Sequence, residues 1–160
     1  MNIIKKSLLL FLLVFLFGGI HVNAAQDETA TETESTAKES GEVFIAFGAD
    51  LSESQKAEVV RIFGLSEEEL SKAVTVTVTN EEEHQYLGSY LDSSVIGTKS
   101  LSSVMVRKAE AGHGVVVTTK NITYCTTGMY RNALLTAGVE DADIMVAAPT
   151  QISGTAGLIG

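Results

Sequence analysis

The sequence predicts an α+β fold, in which a mixed sheet with a hairpin carries flanking helices behind a signal peptide and a disordered acidic spacer. Three observations predict it: an apolar run near the N-terminus, an acidic stretch without large apolar residues, and alternating strand and helix periodicities thereafter. These features divide the chain into a signal peptide at 1–24, a disordered linker at 25–42 and an α+β domain at 43–160.

The first 24 residues have the three-part plan of a secretory signal peptide. Lys5 and Lys6 precede a run of 13 residues without charge from Leu8 to Ile20, and Val22 and Ala24 supply the small residues that a signal peptidase requires. The alternative is a retained membrane anchor, but a spanning helix needs about 20 apolar residues. Cleavage after Ala24 is therefore the favoured interpretation, which predicts a secreted or cell-surface protein.

The mature chain is acidic. Residues 26–42 contain six acids, one Lys and no Val, Ile, Leu or aromatic residue, so this segment buries too little apolar area to offset its chain entropy. After Ala24 there are nine basic against 20 acidic residues, a net charge of −11. This charge disfavours nucleic acid and anionic lipid as partners, and no stable membrane span is expected after cleavage.

The first half of the domain begins with a strand at Val43–Phe47. Capping boxes, in which a Ser side chain and a side chain three residues later bond each other's backbone N–H groups, place helices after Ser52 and Ser66. Gly64 ends the first of these helices. Strict alternation of Val and Thr from position 74 then predicts a strand with one face buried.

A third helix is expected from a capping box of Asn80 and Glu83, so that the run of three Glu forms an acidic first turn in solvent. The predicted inner face of this helix consists of Tyr86, Leu87, Tyr90 and Leu91.

The second half predicts a hairpin, a helix and a strand. Two β-rich runs within 100–121 flank "AEAGHG", whose glycines permit a tight reversal. A helix is expected from about Thr123 to Ala137, capped by Asn121 and Thr123. The apolar run 142–148 predicts a central strand that Pro149 ends.

The last residues raise the question of an anion site. The motif "SGTAGLIG" matches neither phosphate-loop nor dinucleotide spacing, so close packing of its small residues is favoured over anion binding. The final helix stops after a few residues without a stop signal, which predicts a natural truncation or a fragment of a longer domain.

Candidate chemistry is sparse. Cys125 is the only cysteine and is interpreted as a small buried residue rather than a nucleophile, and no disulfide can form within the chain. His113, His84 and the Glu81–Glu83 run are weak metal ligands at best, so neither a metal site nor a cofactor is predicted. The densest polar region predicts a ligand-binding site formed by Asn121, Thr126, Thr127, Arg131, Ser153 and Thr155.

Three segments carry a resemblance to a known family: "SSVMVRKAEAGHGVVVTTKNIT", "MYRNALLTAGVEDADIMVAAP" and "ISGTAGLIG", in this order after a signal peptide. The chain closely resembles the YpuA-like secreted proteins of Gram-positive bacteria (DUF 1002). The resemblance implies export and a shared fold. It also implies a further, largely helical region in longer members, but it supplies no activity and no site residues.

Three hypotheses follow. The first is a non-enzymatic binding or structural protein at the cell surface or wall, with a wall component as its partner. The second is an envelope-directed hydrolase or transferase that uses groups near 121–131 and 150–155. The third is a non-functional truncated fragment.

Overall fold

A computed structural model describes residues 41–160 of the chain as an α+β domain with a five-stranded mixed sheet, which confirms the predicted fold class. The predicted signal peptide and nearly all of the predicted linker lie outside the described residues. The strands are β1 (Val43–Gly48), β2 (Val74–Val78), β3 (Ser103–Lys108), β4 (Val115–Ile122) and β5 (Ala142–Ile152).

Helices connect these strands. The helices are α1 (Glu53–Phe63), α2 (Glu67–Lys72), α3 (Asn80–Leu87), α4 (Ser93–Ile96), α5 (Thr127–Thr136) and α6 (Ala156–Ile159). No helix in the described range is long and apolar enough to cross a bilayer.

The strands lie in the order β2-β1-β3-β5-β4. β1 is parallel to β2 and β4 is parallel to β5, whereas β3 is antiparallel to both of its neighbours, β1 and β5. The predicted hairpin of β3 and β4 is therefore wrong, because β5 lies between the two strands and pairs with each of them.

The connection from β3 to β4 shows how β5 fits between them. The N–H of Ala109 donates to the carbonyl of Asp141, and the N–H of Ala142 donates to the carbonyl of Gly114, at 3.1 and 3.0 Å. The loop thus spans the start of β5 instead of closing a tight turn. A closed hairpin and a pair of strands with β5 inserted between them have the same local pattern of strand, glycine-rich turn and strand. The sequence therefore predicted the simpler hairpin.

Helices cover both faces of the sheet. On the first face, α1 packs Val59 and Phe63 against Ile45, Phe47 and Met105. On the second face, α5 and α6 pack against β3, β4 and β5. The buried members of this second cluster include Val104, Ile144, Val146, Tyr130 and Ala156.

Local signals placed α1 and α2 correctly. Both predicted capping boxes, Ser52 with Gln55 and Ser66 with Glu69, are present, and Gly64 ends α1 in the left-handed conformation. Each such cap contributes on the order of 1 kcal/mol.

The third helix starts one residue earlier than predicted. Its N-cap is Thr79, which forms the capping box with Glu82 instead of Asn80 with Glu83. The predicted inner face is only partly correct. Leu87 and Leu91 are half-buried, but Tyr86 and Tyr90 are exposed, and Glu83, one turn before Leu87, is buried.

Two further boundaries differ from the prediction. Thr126 caps α5, not Asn121 or Thr123. β5 continues past Pro149 to Ile152. The strand tolerates this proline because β4 leaves its regular register beyond Lys120.

The predicted buried face of β2 is also wrong. Val74 and Val76 are 49% and 55% exposed, and only Val78 is buried. The alternation does produce a strand, but β2 is an edge strand, and on its apolar side only Val78 reaches the core cluster of the second face.

The terminal glycines are packing positions, as the sequence favoured. A Cβ on Gly154 would lie 2.4 Å from Tyr130 Oη, and one on Gly157 would lie 2.7 Å from Val146 Cγ1. Gly154 also has a φ of 96°, which side chains other than hydrogen rarely allow.

We predict that Gly154→Ala lowers the free energy of unfolding by about 3 kcal/mol, because it adds backbone strain to a steric clash. The matched control is Gly128→Ala in α5, where the nearest neighbour of a new Cβ is Thr126 Oγ1 at 3.7 Å. This control should be neutral or stabilising by up to about 1 kcal/mol. Urea denaturation measures both variants, and equal stabilities would contradict the packing account.

Arg107 ties β3 to α2 through a 2.7 Å ion pair with Glu69. Hydrogen bonds from the Ser66 backbone and from Arg107 lower the pKa of Glu69 to about 2. A lowered pKa in the folded state gives stability that is present above the ordinary pKa and is lost as pH falls. We predict that Glu69→Gln flattens the loss of stability between pH 5 and pH 2, as measured by thermal melts. An unchanged acid limb would contradict this role.

Candidate functional site

The two loops that the sequence proposed as a site lie side by side. The backbone N–H and the hydroxyl of Thr123 both donate to the carbonyl of Ile152, at 2.8 and 2.9 Å. The N–H of Cys125 donates to the carbonyl of Ser153 at 2.9 Å. These bonds fix the loop after β4 against the loop after β5.

The sheet explains why the loops meet. β4 and β5 are parallel neighbours, so their carboxyl ends lie at one edge, where open α/β sheets commonly bind ligands. Asn121 interrupts the pairing with a φ of 62°, and its Nδ2 donates to the carbonyl of Ala148 at 2.8 Å. This irregularity turns the chain from β4 toward α5.

Behind the loops lies a buried polar cluster centred on Glu83, which is 1% exposed. Thr155 Oγ1 donates to Glu83 Oε1 at 2.6 Å, and Asn80 Nδ2 donates to Glu83 Oε2 at 3.4 Å. Ser100 also contacts this carboxyl group and donates its hydroxyl to the carbonyl of Val78. Burial raises the pKa of Glu83 above its ordinary value, although these hydrogen bonds oppose the rise.

Cys125 and Tyr130 complete the interior of this corner. Both are buried, and Tyr130 Oη donates to the carbonyl of Gly154 at 2.8 Å. Burial raises the pKa of the Cys125 thiol and of the Tyr130 phenol. A thiol that stays protonated is a poor nucleophile, so the geometry favours the interpretation of Cys125 as a core residue.

The six predicted site residues fall into three groups. Asn121, Ser153 and Thr155 turn inward and hold the two loops together, with Ser153 Oγ 3.4 Å from Thr155 Oγ1. Thr126 caps α5 and Thr127 begins it, and both are exposed. Arg131 is also exposed, but its Nε donates to the carbonyl of Val115 at the start of β4, away from the loops.

The outer side of the joined loops is polar and uncharged. Its exposed members carry hydroxyl, phenol or amide groups, and Tyr124 is 47% exposed. We give the name hydroxyl surface to six exposed residues at this edge of the sheet. They are Thr123, Tyr124, Thr126 and Thr127, in the loop after β4 and at the start of α5, and Thr150 and Gln151, near the end of β5.

Sequence reasoning missed the burial of Glu83 and its bond to Thr155, although Thr155 itself was among the predicted site residues. The signal was present: Thr79 and Glu82 also have capping-box spacing, and a box of these two residues leaves the Glu83 side chain free for another partner. Choosing between two overlapping boxes requires the partner Thr155, which is 72 residues away.

The weak metal candidates do not form a cluster. His113 Nε2 lies 2.9 Å from Asp143 Oδ1, whereas His84 Nε2 lies 2.9 Å from the carbonyl of Gly97. Across 41–160, no three His, Cys, Asp or Glu side chains are close enough to hold a metal ion.

The fold and the site define a class of protein. It is an α+β domain in which a buried polar cluster fixes the loops after β4 and β5, and these loops present a neutral polar surface. The family of unknown function DUF1002 matches residues 47–160, so the chain belongs to that family. It is 48% identical over 120 residues to the uncharacterized protein YpuA of Bacillus subtilis (strain 168). That match covers 75% of this chain and 40% of YpuA, and no solved structure matches.

We predict that the contribution of Glu83 to the stability of the domain falls as pH rises. Its raised folded-state pKa gives stability that is fully present below the ordinary pKa near 4.5 and is lost as pH rises through the raised value. Glu83→Gln mimics the protonated carboxyl group, so its stability relative to wild type should increase from pH 4 to pH 8. Urea denaturation at both pH values measures this difference.

The control for this measurement is Glu82→Gln, which alters an exposed carboxylate of the same helix whose pKa is lowered instead. Its relative stability should not rise with pH. If Glu83→Gln behaves like Glu82→Gln, the buried carboxyl group does not carry the effect.

Proposed function

We propose that this protein is exported and acts at the cell surface or wall as a non-enzymatic binding protein, with the hydroxyl surface as its binding site. Export rests on the leader at 1–24. The single observation that carries the binding role is the fixed pair of loops, because a surface held by hydrogen bonds loses little entropy when it binds.

The chemistry of the surface suits sugar chains. Hydroxyl and amide groups both donate and accept hydrogen bonds, as the hydroxyls of a sugar require. The exposed ring of Tyr124 offers an apolar face with a polar tip, against which a sugar ring can pack. The proposed ligand class is therefore a neutral, hydroxyl-rich polymer of the wall.

Charge supports a neutral ligand over an anionic one. The mature chain carries a net charge of −11, which repels polyanions such as nucleic acid. None of the six residues of the hydroxyl surface is charged, so binding should depend little on salt.

A second candidate is an envelope-directed hydrolase or transferase. One observation favours it: the 121–131 and 150–155 loops that it needs do meet. Against it, Glu83, Thr155 and Tyr130 are buried. Thr155 donates a hydrogen bond to Glu83, and Tyr130 donates one to the carbonyl of Gly154, so these side chains support the loops from the interior and do not face a substrate.

We predict that residues 26–160 co-sediment with insoluble cell wall, and that Tyr124→Ala reduces the bound fraction at least about tenfold by removing the aromatic face. The matched control is Tyr90→Ala, because Tyr90 is 83% exposed but lies in the turn after α3. The control should bind like wild type at both low and high salt.

Absence of wild-type retention at every salt concentration would contradict the binding role. If Tyr90→Ala reduces the bound fraction as much as Tyr124→Ala does, the binding site is not the hydroxyl surface. Release of soluble sugar from the wall during incubation would instead support the hydrolase.

A further inference from the structure

The second face of the sheet is covered at one side and open at the other. One row of paired residues crosses the sheet from β4 to β2, and its exposure rises along the way. Val117, Ile144, Val106, Phe44 and Val74 form this row, from 8% and 2% at β4 and β5 to 40% and 49% at β1 and β2.

The open part of this face is an apolar groove. A cavity of about 590 Å³ lies between Phe44 and Val106 on the sheet and Leu134 and Val139 at the end of α5. Val74 and Val76 continue the apolar surface to the edge of β2. We name these six residues the open face. Apolar surface exposed in one patch marks an interaction site more often than scattered apolar residues do.

The size of the open face fits one helix. α5 packs on the β4 and β5 side, and Ala46 of β1 and Val78 of β2 are also buried on this face. The uncovered part therefore carries Phe44, Val74 and Val76, beside the half-buried Val106 of β3. Three strands about 4.8 Å apart span roughly 10 Å, which is about the diameter of a helix with its side chains. A helix with one apolar side would close the second face as α5 does beside it.

The chain itself leads to this face. α6 packs on the second face, and a Cβ on Gly160 would lie 2.5 Å from Ala46 Cβ and 3.1 Å from Val104 Cγ1. Ala46 pairs directly with Val76 of the open face and lies two residues from Phe44 on the same side of β1. In a longer family member, polypeptide that follows the residue equivalent to Gly160 would therefore start beside the open face.

YpuA contains additional polypeptide that could cover the open face. The region shared with YpuA is only 40% of YpuA, so most of that protein lies outside it. We infer that the open face is the docking site for an amphipathic helix from the part of the longer family members that lies outside the shared region. The inference is independent of the hydroxyl surface, which lies at the carboxyl ends of β4 and β5.

Thiol labelling tests the inference, because Cys125 is the only cysteine of this chain and is buried. Val76→Cys is made in this chain and in a chimera, namely YpuA with its matched 120 residues replaced by those of this chain and its other cysteines changed to serine. In this chain the new thiol should react freely with a maleimide. In the chimera its labelling rate should fall at least about 100-fold, as a buried thiol's does.

The matched control is Val116→Cys. Val116 is 44% exposed on β4, but it neighbours the inward Val117 and so points to the other face of the sheet. Its labelling rate should be the same in both proteins. Folding of the chimera is shown separately by Cys125, which should stay unlabelled because it is buried. Equal rates for Val76→Cys in both proteins would overturn the inference. If Val76→Cys is labelled slowly in this chain and the rate increases on dilution, a second copy of the chain covers the open face. That result would also overturn the inference.

A dye-binding measurement covers the case of a chimera that does not fold. Full-length YpuA should bind little of a fluorescent apolar dye, whereas this chain should bind it at the open face, and Phe44→Ser should reduce that binding. Comparable dye binding by YpuA and by this chain would contradict the inference.

Discussion

The structure depends on the insertion of β5 between β3 and β4. This strand pairs antiparallel with β3 and parallel with β4, and it contributes Ile144, Val146, Ala147 and Ala148, which are at most 2% exposed, to the interior. Because β5 runs parallel to β4, the loops that follow the two strands meet at one edge of the sheet. Because it continues to Ile152, it also delivers α6 to the second face.

Bringing the two loops together buries polar side chains, and hydrogen bonds in the interior offset the free-energy cost of that burial. A carboxyl group at Glu83 and hydroxyls at Ser100, Ser102 and Thr155 are buried there, and each unpaired group would cost about 1–3 kcal/mol. Each finds a partner: across the described residues no buried side-chain nitrogen or oxygen lacks a hydrogen bond. Ser102 Oγ, for instance, accepts from the N–H of Gly157 at 3.1 Å. The cluster thus fixes the loops that present the hydroxyl surface.

Sequence patterns predicted the features whose causes are local. Capping boxes at Ser52 and Ser66 involve residues three apart, and the α+β class follows from alternating periodicities, so both were correct. The features that failed depend on distant partners. The position of β5 between β3 and β4 depends on a strand that follows both of them in the sequence, after α5. The burial of Glu83 depends on Thr155. The exposure of Val76 depends on which parts of the sheet the helices cover, which alternation alone does not encode.

The strand order itself is tested most directly by nuclear Overhauser effects between backbone protons. Met105 of β3 and Met145 of β5 are paired in the antiparallel register, and Thr118 of β4 pairs with Met145 in the parallel one. The account predicts cross-strand effects from Met145 to both Met105 and Thr118. Effects joining β3 directly to β4, as in a closed hairpin, without those from Met145 would contradict it and would separate the loops on which the proposed binding surface depends.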